Sequence, residues 1–178
     1  KKDFKWNSNI VFAKSEQKIT ALPIAPYQSG PDGLYFIKEG ESYGSIYGYT
    51  WVETLEQMSN QLPNGKTISD YEVNSDGFVV PAGSQGTTSE KSITLKNDNG
   101  DLAFVKIGDG LPKFTMGISN SISYKNASFY FLFDIKNGGD VYNRKSQWMT
   151  RDTRNGIMDM ANVPEGEKKT TDYFLNFY

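Results

Sequence analysis

The sequence contains no cysteine and no histidine. The first absence excludes disulfides, thiolate nucleophiles and Cys-ligated zinc. The second removes the commonest general base near neutral pH and the usual transition-metal ligand. Net charge is also scarce: 19 basic against 21 acidic side chains leave −2. With no basic stripe for a phosphate backbone, nucleic acid is not an expected partner. Long hydrophobic runs are missing as well. The longest, Phe129 to Phe133, has five residues, where a membrane-spanning helix needs roughly 20. No signal peptide opens the chain, and Lys1-Lys2-Asp3-Phe4 reads as an internal start.

What the chain has in excess is aromatic side chains, 14% of 178 residues, together with 17 glycines and many Ser, Asn and Thr. That mixture predicts an all-β fold with polar turns, in a chain long enough for one domain or for a piece of something larger. From Asp3 to Lys14 side chains alternate, with Phe4, Trp6, Ser8, Ile10 and Phe12 on one face, which predicts a strand. Short strands are expected at Ile19–Ile24, Leu34–Lys38 and Tyr43–Trp51, and a helix over Val52–Leu62, where Val52, Leu55, Met58 and Leu62 fall at helical offsets. The stretch 66–99, with β-like pieces at Thr67–Val73, Phe78–Val80 and Ser92–Lys96, reads as an elaborated loop rather than an independent core. The loop region as a whole is taken as 52–111.

The most informative segment is Pro112 to Tyr142. Phe114, Met116, Ile118, Asn120, Ile122 and Tyr124 share one face, and Thr115, Gly117, Ser119, Ser121 and Ser123 the other. After a tight turn at Lys125-Asn126, Ala127, Phe129, Phe131, Phe133 and Ile135 alternate with Ser128, Tyr130, Leu132, Asp134 and Lys136. Each strand runs about 11 to 12 residues, roughly 35–40 Å of chain. Tilted by ~40°, it covers about 27–30 Å, the height of a lipid band with its interfaces. A hairpin of a soluble sheet and a hairpin of a membrane barrel both fit this pattern. Beyond Asn137-Gly138-Gly139-Asp140, the charged stretch Arg144–Thr171 suits a long loop. Thr171–Tyr178, with Tyr173, Phe174, Phe177 and Tyr178, fits either a helical turn or a strand.

Constellations that carry covalent chemistry are weak. Glu72, Asn74 and Asp76-Gly77, and again Asn97-Asp98-Asn99-Gly100-Asp101, faintly resemble calcium loops, but the twelfth positions are Gly83 and Gly108 instead of Glu. Asx turns are the ordinary reading of both, and calcium is not expected. Gly108-Asp109-Gly110 is a turn, not a phosphate loop. No catalytic, cofactor or metal residues are assigned, and an enzyme is not expected. Tyr47, Tyr49, Trp51, Tyr142 and Trp148 could stack on sugar rings, fill a core or form an interfacial belt.

Several segments, in order, carry a resemblance: Asp3-Phe4-Lys5-Trp6-Asn7, Ile37-Lys38-Glu39-Gly40-Glu41, Gly44-Ser45-Ile46-Tyr47-Gly48-Tyr49, Lys106-Ile107-Gly108-Asp109, Leu111-Pro112-Lys113-Phe114, Ser123-Tyr124-Lys125-Asn126 and Gly138-Gly139-Asp140-Val141-Tyr142-Asn143. Together they resemble the C-terminal part of SusC/RagA-type TonB-linked outer-membrane transporters of Bacteroidetes. Trp148-Met149-Thr150-Arg151-Asp152 and Lys168-Lys169-Thr170 through Tyr173 resemble one subgroup.

The resemblance implies a plugged barrel of about 22 strands in the cell outer membrane, energised by TonB and capped by a SusD-like lipoprotein, that imports glycans or peptides. On that template, residues 112–136 are a transmembrane β-hairpin with a periplasmic turn, and 137–178 form an extracellular loop. Phe114, Met116, Ile118, Ile122, Phe129, Phe131, Phe133 and Ile135 would face outer-membrane lipid; Thr115, Ser119, Ser121, Ser123 and Asp134 would face the lumen. Tyr142, Trp148 and Arg151 would contact ligand or lid. Such a barrel needs roughly 400 residues or more, so the chain is expected to be a fragment without plug or closing strands. The rival expectations are a soluble secreted β-sandwich binding glycan or protein, and a self-contained eight-stranded barrel.

Overall fold

Alternation becomes extended chain wherever it persists for ten residues or so. The computed structural model describes residues 3–176. Its strands and helices are β1 (Phe4–Ala13), β2 (Tyr27–Ser29), β3 (Tyr35–Ile37), β4 (Ser45–Gly48), α1 (Leu55–Ser59), β5 (Tyr71–Val73), β6 (Val79–Pro81), β7 (Val105–Asp109), β8 (Pro112–Tyr124), β9 (Ala127–Gly138), α2 (Arg144–Arg151) and α3 (Thr171–Leu175). The fold is all-β, built of antiparallel pairings with a few short helices. Among the described residues no helix is long and apolar enough to cross a membrane. Two compact units are present: Lys1–Tyr47 with Lys106–Val141, and Gly48–Val105 with Tyr142–Tyr178.

In the first unit the long strands form one sheet, ordered β1-β8-β9. Its registers are continuous: Phe4 opposes Tyr124, Trp6 opposes Ile122 and Phe12 opposes Met116, while Ile122 opposes Phe129 and Met116 opposes Ile135. The hairpin turns at Lys125, whose φ is 51°, and the Lys125 N–H donates to Asp3 O at 3.0 Å, closing the end of β1 onto the same turn. A register shift between Pro112 and Phe114 marks the other end. The smaller sheet is ordered β2-β3-β4-β7, with Ile37 and Ile46 buried.

The second unit has a core of its own, contrary to the expectation for 66–99. Val52, Met58 and Val79 are buried together, with Leu62, Tyr71, Ile93 and Leu95 against them. Three backbone bonds tie it: Val52 N–H to Ile93 O at 2.8 Å, Val79 N–H to Val52 O at 2.7 Å and Ile93 N–H to Val79 O at 2.9 Å. These segments, too short for visible periodicity, pair only once folded.

Other expectations also change. The helix starts at Leu55 because Val52 belongs to this backbone ring and Thr54 is the N-cap, in a reciprocal capping box with Gln57. No strand forms over Ile19–Ile24; Ile19 exchanges one pair of backbone bonds with Gly40 and Glu41, and Pro23 and Pro26 supply no N–H to continue it. Tyr43–Trp51 contracts to the four residues of β4, Trp51 keeping an isolated bridge to Thr94. Thr67–Val73 splits into a 3-10 turn and β5, and of Ser92–Lys96 only single bridges remain. The region read as loop from Arg144 contains α2, and Thr171–Leu175 is helical; Phe177 and Tyr178 lie outside the described residues.

Asn120 interrupts the otherwise apolar face of β8. It is buried, and its Oδ1 accepts a 3.0 Å bond from Trp6 Nε1 on the neighbouring strand. Replacing Asn120 by Leu is expected to lower stability by about 1 kcal/mol, read from urea unfolding. Trp6→Phe should give a similar loss, and the double variant less than the sum.

Candidate functional site: a two-faced sheet on a polar clasp

The candidate site is the β1-β8-β9 sheet, and the residues beside its root set its position. Lys106 Nζ lies 3.1 Å from Asp109 Oδ2 and 3.3 Å from Glu41 Oε2. Asp109 Oδ1 accepts from the Leu111 N–H at 3.0 Å and from Ser42 Oγ at 3.3 Å. Glu41 accepts from Ser45 Oγ and Tyr47 OH, each at 3.2 Å. Asp140, just beyond β9, accepts the Asp109 N–H at 2.7 Å and returns its own N–H to Asp109 O at 2.7 Å. The clasp thus joins the segment before β4, the end of β7, the entry to β8 and the exit of β9. Two glycines are required by close approach. A Cβ on Gly44 would sit 2.8 Å from Leu111 Cγ, and one on Gly108 would sit 2.9 Å from Asp140 Oδ2.

Burial alone would raise the Asp109 carboxyl, but the Leu111 N–H, Lys106 and Ser42 outweigh it and hold the group below its ordinary 3.8. Glu41 is likewise lowered: its bonds from Lys106, Ser45 and Tyr47 overcome desolvation. Burial would depress Lys106, yet Asp109 and Glu41 raise it above 10.5.

On this root stand two unlike faces. Phe114, Met116, Ile118, Ile122, Phe129, Phe131, Phe133 and Ile135 all fall on one, in line with Phe4, Trp6, Ile10 and Phe12 of β1. Phe129, Phe131 and Phe133 form a ridge with successive ring centroids 5.5 and 5.3 Å apart, and Phe12 meets Phe114 at 5.4 Å. The ridge is not covered: Phe129 is 62% and Phe133 58% exposed, and Trp6 63%. Thr115, Ser119, Ser121, Ser123 and Asp134 occupy the opposite face, which also holds Gly117 and, from β9, Tyr130 and Leu132. A Cβ on Gly117 would meet nothing within 4 Å, so this face opens onto space.

Tyr142, Trp148 and Arg151 belong to the second unit and form a ladder. The Arg144 guanidinium lies 5.9 Å over the Tyr142 ring and 5.7 Å over Trp148, and Arg151 lies 5.9 Å over Trp148. Tyr47 bonds Glu41 and packs its ring 4.9 Å from Phe36; Trp51 packs on Phe78. Asn74 Oδ1 accepts two backbone N–H groups, as does Asn97 Oδ1, which is the Asx geometry. Among the described residues no three or more carboxylates gather as a metal ion requires.

A polar cluster in the second unit escaped the sequence. Lys169 Nζ lies 2.5 Å from Glu90 Oε1, both side chains buried. Asn74 Nδ2 donates to Glu90 at 2.8 Å and to Tyr173 OH at 2.9 Å, and Tyr173 OH donates to Asp76 at 2.7 Å. Desolvation favours the neutral Glu90, but Lys169, Gly86 N–H and Asn74 lower it below 4.5. Burial and the bond to Asp76 push the Tyr173 phenol up to about 12.

Likenesses to known proteins run along most of the chain. No family model matches it. It is similar to TonB-dependent receptor P3 of Formosa agariphila, 26% identical over 181 residues that cover 96% of this chain and 17% of that protein. TonB-dependent receptor P39 of the same organism is 26% identical over 161 residues, covering 78% and 15%. TonB-dependent receptor P26, also from that organism, is 25% identical over 180 residues, covering 96% and 17%. The chain therefore spans between 15% and 17% of the length of the curated relatives it matches.

Two outcomes are expected. Because Glu41 and Asp109 are lowered in the folded chain, their stabilisation is complete above the ordinary carboxylate range and is lost as pH falls through the lowered values. The urea midpoint of the first unit should therefore fall below about pH 4, and less steeply in Asp109→Asn. In the second unit, Lys169→Met leaves Glu90 buried without its cation. It should cost about 3–5 kcal/mol at neutral pH, read from thermal unfolding, and Lys169→Met with Glu90→Leu should recover much of that loss.

Proposed function

We propose that this chain is a segment of the wall of a TonB-dependent outer-membrane importer. Its apolar face lies against lipid and its Thr/Gly/Ser face against a hydrated lumen. The observation that carries this reading is the uncovered aromatic ridge on strands long enough to span. β8 and β9 have 13 and 12 residues, and at ~3.3 Å per residue and ~40° tilt they reach roughly 30 Å. Apolar surface in water is costly, at about 25 cal/mol per Å², and acyl chains remove that cost while a water-filled lumen accommodates the opposite face. Similarity to proteins named TonB-dependent receptors along most of the chain supports the same reading.

In this proposal the Lys125-Asn126 turn is periplasmic and residues 137–178 lie outside the cell. The importer is of the SusC/RagA type, with a SusD-like lipoprotein as lid, TonB as energy source, and a glycan or peptide as cargo. The chain's part is mechanical: it supplies wall and outer surface, and no bond is made or broken on it.

The test is asymmetry between faces. Phe131→Arg places a charge on the lipid side and should impair assembly by about 2–4 kcal/mol if mid-bilayer, seen as lost heat-modifiable migration of the protein from outer membranes. Ser121→Arg, on the lumen side, should assemble normally. Equal behaviour of the two variants would refute the assignment.

A further inference from the structure

An asparagine followed by glycine is open to attack on its own side-chain amide, because glycine has no Cβ to shield the next backbone nitrogen. The sequence has four such pairs: Asn64-Gly65, Asn99-Gly100, Asn137-Gly138 and Asn155-Gly156. The fold treats them differently. The Gly100 N–H donates to Asn97 O at 2.9 Å, which ties the attacking nitrogen. Asn137 lies inside β9, opposite Phe114, and a Cβ on Gly138 would come 3.0 Å from Lys113 Cγ, so that pair is held in a strand and crowded. Asn155 is pinned through its amide. Its Nδ2 donates to Thr150 Oγ1 at 2.8 Å, to Ser146 Oγ at 2.9 Å and to Ser146 O at 3.3 Å, and its Oδ1 accepts the Ile157 N–H at 3.3 Å. Each bond that must break before the side chain can turn slows the step, and the four at Asn155 together amount to a factor of about ten or more.

Asn64 has none of these restraints. Residues Pro63 to Lys66 form an exposed turn, closed by the Lys66 N–H on Pro63 O at 3.1 Å. Gly65, with φ 78°, is third in that turn, so its own N–H is not the donor that closes it. A Cβ on Gly65 would meet nothing within 4 Å. Among the described residues, no hydrogen bond holds the Asn64 amide.

We propose that Asn64 is a site of spontaneous deamidation, the pair among the four that the fold leaves reactive. The Gly65 nitrogen attacks Asn64 Cγ and gives up its proton. The bond from Cγ to the side-chain nitrogen breaks, and that nitrogen leaves with the proton as ammonia. The resulting succinimide takes up one water. Opening at the side-chain carbonyl gives aspartate, and opening at the main-chain carbonyl gives isoaspartate; nothing is oxidised or reduced. The product carries a new carboxylate beside Lys66, whose Nζ already lies 3.4 Å from Asp70 Oδ1. Its isoaspartyl form also adds a methylene to the main chain between α1 and β5. The inference concerns the second unit and does not depend on the importer reading.

Ageing the full chain in mildly alkaline buffer, with and without concentrated urea, and mapping its peptides by mass spectrometry tests this. In buffer alone, Asn64 should convert about tenfold or more faster than Asn155, and ahead of Asn99 and Asn137. In urea the four rates should converge, because the restraints are gone. Hydroxylamine, which cleaves a succinimide, should cut the folded chain first after residue 64. Asn64→Gln should abolish that cut. Gly65→Ala should slow conversion in urea as well as in buffer, which separates loss of the open nitrogen from strain in the turn. Faster conversion at another Asn-Gly pair in buffer, the same four rates in buffer as in urea, no conversion at Asn64, or an undiminished rate in Gly65→Ala overturns the inference.

Discussion

The Lys106 ammonium stands between the carboxylates of Glu41 and Asp109, while Asp109 also accepts the Leu111 N–H, donates its own N–H to the Asp140 carboxylate and accepts the Asp140 N–H on its backbone O. Three stretches far apart in the chain, around Glu41, from Lys106 to Leu111 and at Asp140, therefore meet in one clasp. The groups are partly exposed, so Coulomb energy alone contributes little. Their weight comes from the number of bonds each carboxylate accepts and from what they hold. Leu111 is the last residue before β8 and Asp140 follows β9 closely, so the clasp fixes where the hairpin begins and ends within the first unit and which way its faces turn.

Once the root is set, pleat and register do the rest. A strand side chain alternates with period two, so a slip of one residue would exchange the Phe ridge for the Ser row. Ten aligned pairs between β1 and β8 and the Trp6–Asn120 bond oppose such a slip. The polar pair sits among aromatic neighbours, where an unmet donor is most costly, which gives one register a preference that hydrophobicity alone does not.

The hairpin and β1 were legible because their alternation runs long enough to exceed chance, and the Lys125-Asn126 turn punctuates it. The motif segments were visible only as a resemblance; the structure supplies their physical reason, since Glu41, Gly44, Lys106, Gly108, Asp109 and Asp140 converge on the clasp. The second unit was illegible for the opposite cause. Its strands β5 and β6 have three residues each, and its polar cluster joins Lys169 to Glu90 across 79 positions and Tyr173 to Asn74 across 99. Nothing local marks such partners. The helix α2 was hidden by its polar composition, although Asn143 ahead of Arg-Lys-Ser-Gln is a cap signal that a closer reading could have used.

The pairing of β1 with β8 sets an order of events during folding. The hairpin closes over a sequence separation of five, from Ser123 to Ser128, a microsecond-scale step in isolation. The Trp6–Asn120 bond closes over 114, and loop entropy grows with the logarithm of that span. Strand β1 leaves the ribosome before β8, whose paired residues lie more than a hundred positions later. Until β8 follows, the Phe, Trp and Ile side chains of β1 lack that strand beside them, and a chaperone can supply the cover.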